Sequence, residues 1–420
     1  MQSIDLSRSL FGGIRISLIS SALLVGTTLL PLNSAAQQIG NSQPTPQSPG
    51  MAEHKGAPSS LRELVQEAEE KNPQVAASFH AWQASRNVPR QVSALPETQL
   101  SVQQFSVGSP RPFAGYSNSD FAYIGFGASQ DIPYPGKRQL RARAAEHESD
   151  SMEAQNDSVR RTVVGSLKIV YFRLAYIQQT VGVLQRNNEL LNQVQQATEA
   201  RYRVGQGNQQ DVLKAQLRHT KILQEIAHHH QEEGLLEAQL KQLLGRPQES
   251  PDILTETLQV RVLPYTAADL LQKAREQNPD VRSKEASTRQ QETNVELAHK
   301  NFRPDFNVQY SYQHTSSEFR DYYIATFGLR LPNRGRQKAE LLEAQEKQER
   351  ARRELDAESQ RVLSEVQQQY VRAKTSEERL KIYSDGLVPQ SEATFSSALS
   401  AYQSNKQDFE VDALRYRMCL

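Results

Sequence analysis

The side chains with the clearest chemical potential are three consecutive histidines, His228, His229 and His230, with His219 nearby in the chain. Imidazoles that converge can hold a divalent transition metal. Three in a row on a helix instead point around its axis, and Glu232 and Glu233 follow in a strongly polar stretch. A solvated helix face is therefore favoured over a metal centre, and these histidines are only weak ligand candidates. Asp211 and Asp408 form a second pair of interest, because each lies just beyond an expected helix reversal. Carboxylates there either ring a pore mouth and bias passage toward cations or complement a helix N-terminus; both readings stay open. No catalytic constellation is present: the chain has no Gly-rich phosphate loop, no nucleophile elbow and no His-Glu-x-x-His. Glu343 and Lys347 typify its abundant charges, spaced for i,i+4 pairing on a helix surface. A non-enzymatic role without a cofactor is expected.

Composition narrows the class. Lys and Arg number 49 against 48 Asp and Glu, a net charge of +1, so there is no basic footprint for nucleic acid. Hydrophobic residues make up 37% and mean hydropathy is −0.66, so most of the mass belongs in water. The single cysteine, Cys419, excludes an internal disulfide framework and a thiolate metal cage. No cysteine follows the N-terminal export pattern to carry a lipid anchor. That pattern has Arg8 and Arg15, an apolar stretch from Ile16 to Leu30, and a small-residue cleavage site at Ser34-Ala35-Ala36. The stretch is short of the roughly 20 residues a spanning helix needs. Residues 1–36 thus read as a signal peptide, and 37–58, rich in Gln, Pro, Ser and Gly, as a flexible leader. No later segment has a dozen uninterrupted apolar residues. An exported chain that also enters a membrane must then span it by β-strands.

The elements that hold these residues come in two copies, offset by roughly 200 residues. Leu61 to Leu64 through Asn72-Pro73 recurs as Ala268 to Leu271 through Asn278-Pro279. Asp131 to Arg138 recurs loosely as Arg330 to Arg336, and Ala200 to Gly205 as Ser400 to Asn405. Three landmarks in one order indicate a tandem duplication, with repeats at 59–247 and 265–420 joined by a linker at 248–264. In the second copy Phe306, Val308, Tyr310 and Tyr312 alternate with polar residues, a period-two strand with one apolar face. Its partner runs from about Asp321 to Leu331. The first copy offers strands at about 99–107 and 119–132, with a less regular alternation that suggests a bulge. Aromatics crowd both hairpins, among them Phe105, Phe121, Tyr310, Tyr323 and Phe327. An interfacial girdle would look so, and so would a soluble hairpin with one buried face; the strands alone do not decide.

After each hairpin comes a long helical pattern. From Lys137 to Arg203 apolar residues at Val163, Leu167, Val170, Leu174, Ile177, Val181, Leu184 and Leu191 repeat about every 3.5 residues, as in a coiled-coil seam. A second seam runs from Leu355 through Val362, Val366, Tyr370, Ala373 and Leu380 to Leu387, with a kink expected at Pro389. Gly205 and Gly207 are expected to supply positive-φ positions at the first reversal, and Asn405 at the second. A returning helix follows at about 209–244. Its counterpart after Asn405 has only about 15 residues before Leu420, so a truncated or abnormal end is expected.

Together the export signal, Lys71-Asn72-Pro73, the Tyr-x-x-Gly turn at Tyr202 to Gly205, and Tyr402-Gln403-Ser404-Asn405-Lys406-Gln407-Asp408-Phe409 resemble the TolC family of outer-membrane factors. The resemblance covers about 61–420. It implies an α+β membrane protein: a homotrimer giving four strands per chain to one twelve-stranded outer-membrane β-barrel, continued by a long periplasmic α-helical coiled-coil tunnel. It implies a periplasmic adaptor protein and an inner-membrane proton-driven pump as partners, outer-membrane lipid around the barrel, and most of the chain in the periplasm. The adaptor would meet a tip formed around Tyr202, Gly205, Gly207, Tyr402 and Asn405. The stretch Gln130 to Arg138 is similar to the branch serving heavy-metal efflux, for copper, silver, cobalt, zinc or cadmium ions. Multidrug efflux and type I protein secretion are sibling readings. A periplasmic coiled coil without a pore is the alternative of another class.

Overall fold

The computed structural model describes residues 58–105, 122–315 and 320–403. The expected signal peptide, all of the leader but its last residue, Phe121, Asn405, Asp408 and the last helix beyond residue 403 lie outside these residues, as does the side chain of Tyr402. Helices α1 (Leu61–Lys71), α2 (Pro73–Ser85) and α3 (Val88–Ser93) lead into strands β1 (Gln99–Phe105) and β2 (Tyr123–Ile132), followed by α4 (Lys137–Arg203) and α5 (Gln209–Leu244). After the linker, α6 (Ala267–Gln277) and α7 (Pro279–Lys300) lead into β3 (Asp305–Thr315) and β4 (Asp321–Arg330). The chain continues through α8 (Arg334–Ile382), a π-helical turn (Tyr383–Leu387) and α9 (Val388–Gln403).

Local chemistry sets these boundaries. Ser60 Oγ accepts from the Glu63 N–H at 3.3 Å and starts α1. Asn72 ends α1 and starts α2, its Oδ1 accepting from the N–H groups of Gln74 and Val75 at 2.8 and 3.3 Å. Pro73 follows at the first helical position, where no donor is needed. The second Asn-Pro junction is built alike: Asn278 Oδ1 accepts from Asp280 and Val281 at 2.8 and 3.2 Å.

The four strands form one antiparallel sheet in the order β1-β2-β3-β4. The β1–β2 register runs without interruption from Gln99 opposite Ser129 to Phe105 opposite Tyr123. The bulge expected from the irregular alternation is therefore absent from the paired residues. Its cause is compositional: Gly125 and Gly127 occupy polar-face positions. At Gly125 a side chain has no room, since a Cβ would stand 2.9 Å from the Tyr312 backbone oxygen.

The main core lies where α4, α1, α5 and the linker meet. Val163, Leu167, Leu174, Ile177 and Val181 of the α4 seam pack with Leu64, Leu236, Leu240, Leu244 and Ile253. Tyr171, buried among them, donates its hydroxyl to Ser59 O at 3.2 Å and accepts from the Glu256 N–H at 3.0 Å. Asn72 adds a third bond, Nδ2 to Leu243 O at 2.8 Å, which ties the α1–α2 junction to the end of α5. The α8 seam is filled less completely: Val362 is buried, whereas Leu380 and Leu387 are each 42% exposed. Where a kink was expected at Pro389, the helix has a π-turn just before it. Proline has no N–H for the carbonyl four residues earlier and its ring crowds that oxygen, so the helix widens to relieve the clash.

Candidate functional site

Register sorts the sheet into two chemically distinct faces. Val102, Phe126, Tyr312 and Tyr323 form one row across all four strands, and Ile132, Phe306 and Leu329 another. On the opposite face Gln99, Ser129, Gln309 and Thr326 align, with Ile324, Tyr322 and a stacked Phe105–Tyr123 pair as the apolar or aromatic exceptions. A soluble sheet would hide the first face. Here it is uncovered: Leu100 is 81% exposed and Phe327 69%. Buried positions, Ser311 and Thr315, sit instead on the polar face. Within the described residues the chain itself does not cover this face, as expected of strands with lipid on one side and water on the other.

The polar face closes on a hydrogen-bonded group near the helices. Asn307 Nδ2 donates to Asp131 Oδ1 at 2.8 Å and Ser129 Oγ at 3.1 Å, and the Arg330 guanidinium stands 3.4 Å from Asp131. Just below, Lys137 is 3% exposed. Its ammonium donates to Asp305 Oδ1 at 2.8 Å and Arg303 O at 2.9 Å, while the Tyr134 N–H donates to the same carboxylate oxygen at 2.8 Å. Gly136, at φ 90°, makes the bend that brings Lys137 inward. The exit from β2 is thereby locked to the entry of β3. Spacing along the sequence marks neither group, because their members are 166 to 199 residues apart.

At the far end of α4 the chain reverses. The Gln206 N–H donates to Arg201 O at 2.9 Å and the Gly205 N–H to Tyr202 O at 3.0 Å, the paired bonds of a Schellman cap. Gly205 has φ 75° as expected. Gly207 does not have a positive φ, which corrects the expectation for it. Proximity favours glycine there instead, since a Cβ would stand a tight 3.1 Å from Tyr202 N. Asn208 Oδ1 then accepts from the Gln210 N–H at 3.1 Å and restarts the helix. Asp211 occupies the first turn of α5. Tyr202, Val204, Leu213 and Leu217 stand exposed around this reversal, Val204 at 68%. The last three were not singled out from sequence, although their positions off the seam were the available signal.

Between tip and sheet lies a polar group that sequence reasoning missed. Burial and the neighbouring carboxylate of Asp252 push Glu237 up to about 7, helped by Glu233 and opposed by Lys241. Lys241 is buried, with its ammonium 3.4 Å from Asp252 Oδ1. Nearby, hydrogen bonds from Arg246 hold Glu67 below the usual carboxylate range. His228, His229 and His230 lie earlier in α5, between the reversal and Glu237. Nδ1 of His229 is 3.2 Å from Glu232 and Nδ1 of His230 is 3.2 Å from Glu233. Among the described residues no three potential metal ligands converge, and no helix is long and apolar enough to cross a membrane.

Comparisons with known proteins agree with this geometry. No curated protein matches the sequence. Among solved structures, the outer membrane protein VceC of Vibrio cholerae superposes with a TM-score of 0.70 at 18% identity, over 85% of this chain and 89% of VceC. CusC, a protein studied for its folding and transmembrane channel formation, gives 0.72 at 17% identity, over 90% and 93%. The MtrE outer membrane channel of Neisseria gonorrhoeae in its open state gives 0.65 at 19%, over 86% and 83%. Identities this low speak for the fold. The family model described as "Outer membrane efflux protein" matches residues 64–246 and 270–406, most of both halves. With a sheet that is apolar on its uncovered side and a family match across both halves, the chain belongs to the outer membrane efflux protein family.

Proposed function

We propose that the chain is one subunit of a trimeric duct, in which three copies close a twelve-stranded barrel and their helices line a periplasmic tunnel. Family membership already makes it an outer-membrane efflux protein and not an enzyme. The observation that carries the finer reading is a sheet whose apolar face is uncovered and whose outer strands, β1 and β4, have no further partner among the described residues. Hydrocarbon does not tolerate unpaired edge groups, and further copies would pair them. The incompletely filled α8 seam, with Leu380 and Leu387 exposed, supports helix contacts between those copies.

In this reading the chain works with a periplasmic adaptor protein and an inner-membrane proton-driven pump. The adaptor meets the reversal around Tyr202, Gly205 and Gly207 together with Tyr402 and Asn405. Asp211 and Asp408 ring the periplasmic mouth, and the histidines at 228–230 stay solvated. The two halves, 59–247 and 265–420 around the linker 248–264, descend from one duplicated unit, which the matched Asn72 and Asn278 caps support. The cargo is heavy-metal cations, copper or silver, or cobalt, zinc and cadmium. Support for that choice is the likeness of Gln130 to Arg138 to the heavy-metal branch. Growth of a strain lacking the gene, with and without the chain restored, tests it on metal salts against dyes and antibiotics. Rescue confined to metals is expected. Rescue confined to drugs would refute the cargo and keep the duct, and a chain soluble without detergent would refute the duct.

A further inference from the structure

A cleft of about 640 Å³ lies between the N-terminal end of α4 and the C-terminal end of α7. Arg143, His299, Lys300 and Arg303 line it, against one carboxylate, Glu296. Glu296 is 3.9 Å from Arg143 and both side chains are more than half exposed, so that pairing neutralises little. Lys300 and Arg303 make no ion pair among the described residues. Lys300, in the last turn of α7, is an ordinary complement to that helix's dipole. Arg303 beyond the helix and Arg143 on the other one have no such explanation.

Position supplies the second argument. Tyr134, also on the wall, is two residues past Ile132, and Arg303 is three residues before Phe306; Ile132 and Phe306 pair on the apolar face. The cleft therefore sits at the end of the apolar band nearest the helices, the level at which lipid headgroups meet a barrel. Since β2 and β3 are the central strands, a cleft between α4, which continues β2, and α7, which enters β3, is remote from the open edges. Another copy of the chain is thus a poor candidate to fill it.

We propose that this cleft binds the phosphate-bearing headgroup of an anionic phospholipid, whose acyl chains lie along the apolar band. Lys and Arg supply charge-assisted hydrogen bonds to phosphate oxygens, and a pocket of this size accommodates a headgroup. The inference rests on the outer-membrane reading.

The test uses the full chain in non-ionic detergent, titrated with phosphatidylglycerol or phosphatidylcholine, with bound lipid counted by native mass spectrometry. Conductance in planar bilayers checks insertion separately, so failure of the membrane reading shows there and not in the titration. Phosphatidylglycerol is expected to bind selectively, inorganic phosphate not to displace it, and Lys300→Gln with Arg303→Gln to weaken it roughly thirtyfold while conductance persists. The charge-preserving Lys300→Arg with Arg303→Lys should retain binding. Equal binding of the two lipids by the unaltered chain, or no effect of charge removal, overturns the proposal. Ready displacement by inorganic phosphate would overturn it too, in favour of a free-phosphate site.

Discussion

Glu237 makes the least predictable residue-scale contribution. In the folded chain it keeps its proton to about 7, whereas the ordinary value is 4.5. The folded state thus binds more protons between those values, and stability falls as pH rises from about 4.5 through about 7. Glu237→Gln keeps the uncharged form at every pH and should flatten that slope. The expected gain at pH 8 is about 1 kcal/mol, discounted because the carboxyl is only half buried. Denaturation followed by circular dichroism at pH 5 and 8 checks this; a gain equal at both pH values would disprove the assignment. Gly205 offers a cleaner case. An added Cβ meets nothing within 4 Å there, so Gly205→Ala costs only its left-handed backbone, about 1–2 kcal/mol. The loss should appear as faster amide exchange confined to the reversal, and Gly205→Asn should recover most of it. Exchange that quickened throughout α4 would contradict so local a role.

At the scale of elements, the sheet's two faces predict opposite responses to one substitution. Phe327 lies on the uncovered face, whereas Gln309 is on the polar face of the neighbouring strand. Phe327→Arg should destabilise the inserted protein by about 2–4 kcal/mol if it lies near the bilayer midplane. Gln309→Arg should leave stability nearly unchanged and alter ion selectivity in planar bilayers. Equal penalties at the two sites would refute the assignment of faces. Helix boundaries were legible in the residues: α4 spans Lys137–Arg203 and α5 ends before Gly245, where seam periodicity and glycine placed them. The π-turn was legible only as a kink at Pro389, because how a helix absorbs the misfit depends on the turns it packs against.

For the whole molecule, assembly is the decisive property. A four-stranded sheet whose outer strands β1 and β4 have no further partner among the described residues predicts that the chain in mild detergent has three times its subunit mass, which is 47.4 kDa before the expected signal peptide is removed. Light scattering with detergent subtracted measures it. Cysteines introduced in pairs on β1 and β4 should then cross-link only between copies. A monomeric mass with full conductance would overturn closure by symmetry. The same arrangement explains why a chain of mean hydropathy −0.66 enters a membrane at all: only alternate residues of four short strands need face lipid.

Patterns of period and punctuation, which act over a few residues, were decided by the sequence alone. They include the Asn-Pro caps, the period-two strands, the long seam and the Schellman reversal at Gly205. Each depends on neighbours a turn or a strand away, so local chemistry suffices. Tertiary structure decided whatever joins distant residues. It buried Lys137 against Asp305, aligned Asp131, Asn307 and Arg330 across three strands, and set Glu237 beside Asp252. It also left the apolar face of the sheet bare, which a hydrophobic pattern cannot reveal, because the same alternation suits a face covered by protein or by lipid.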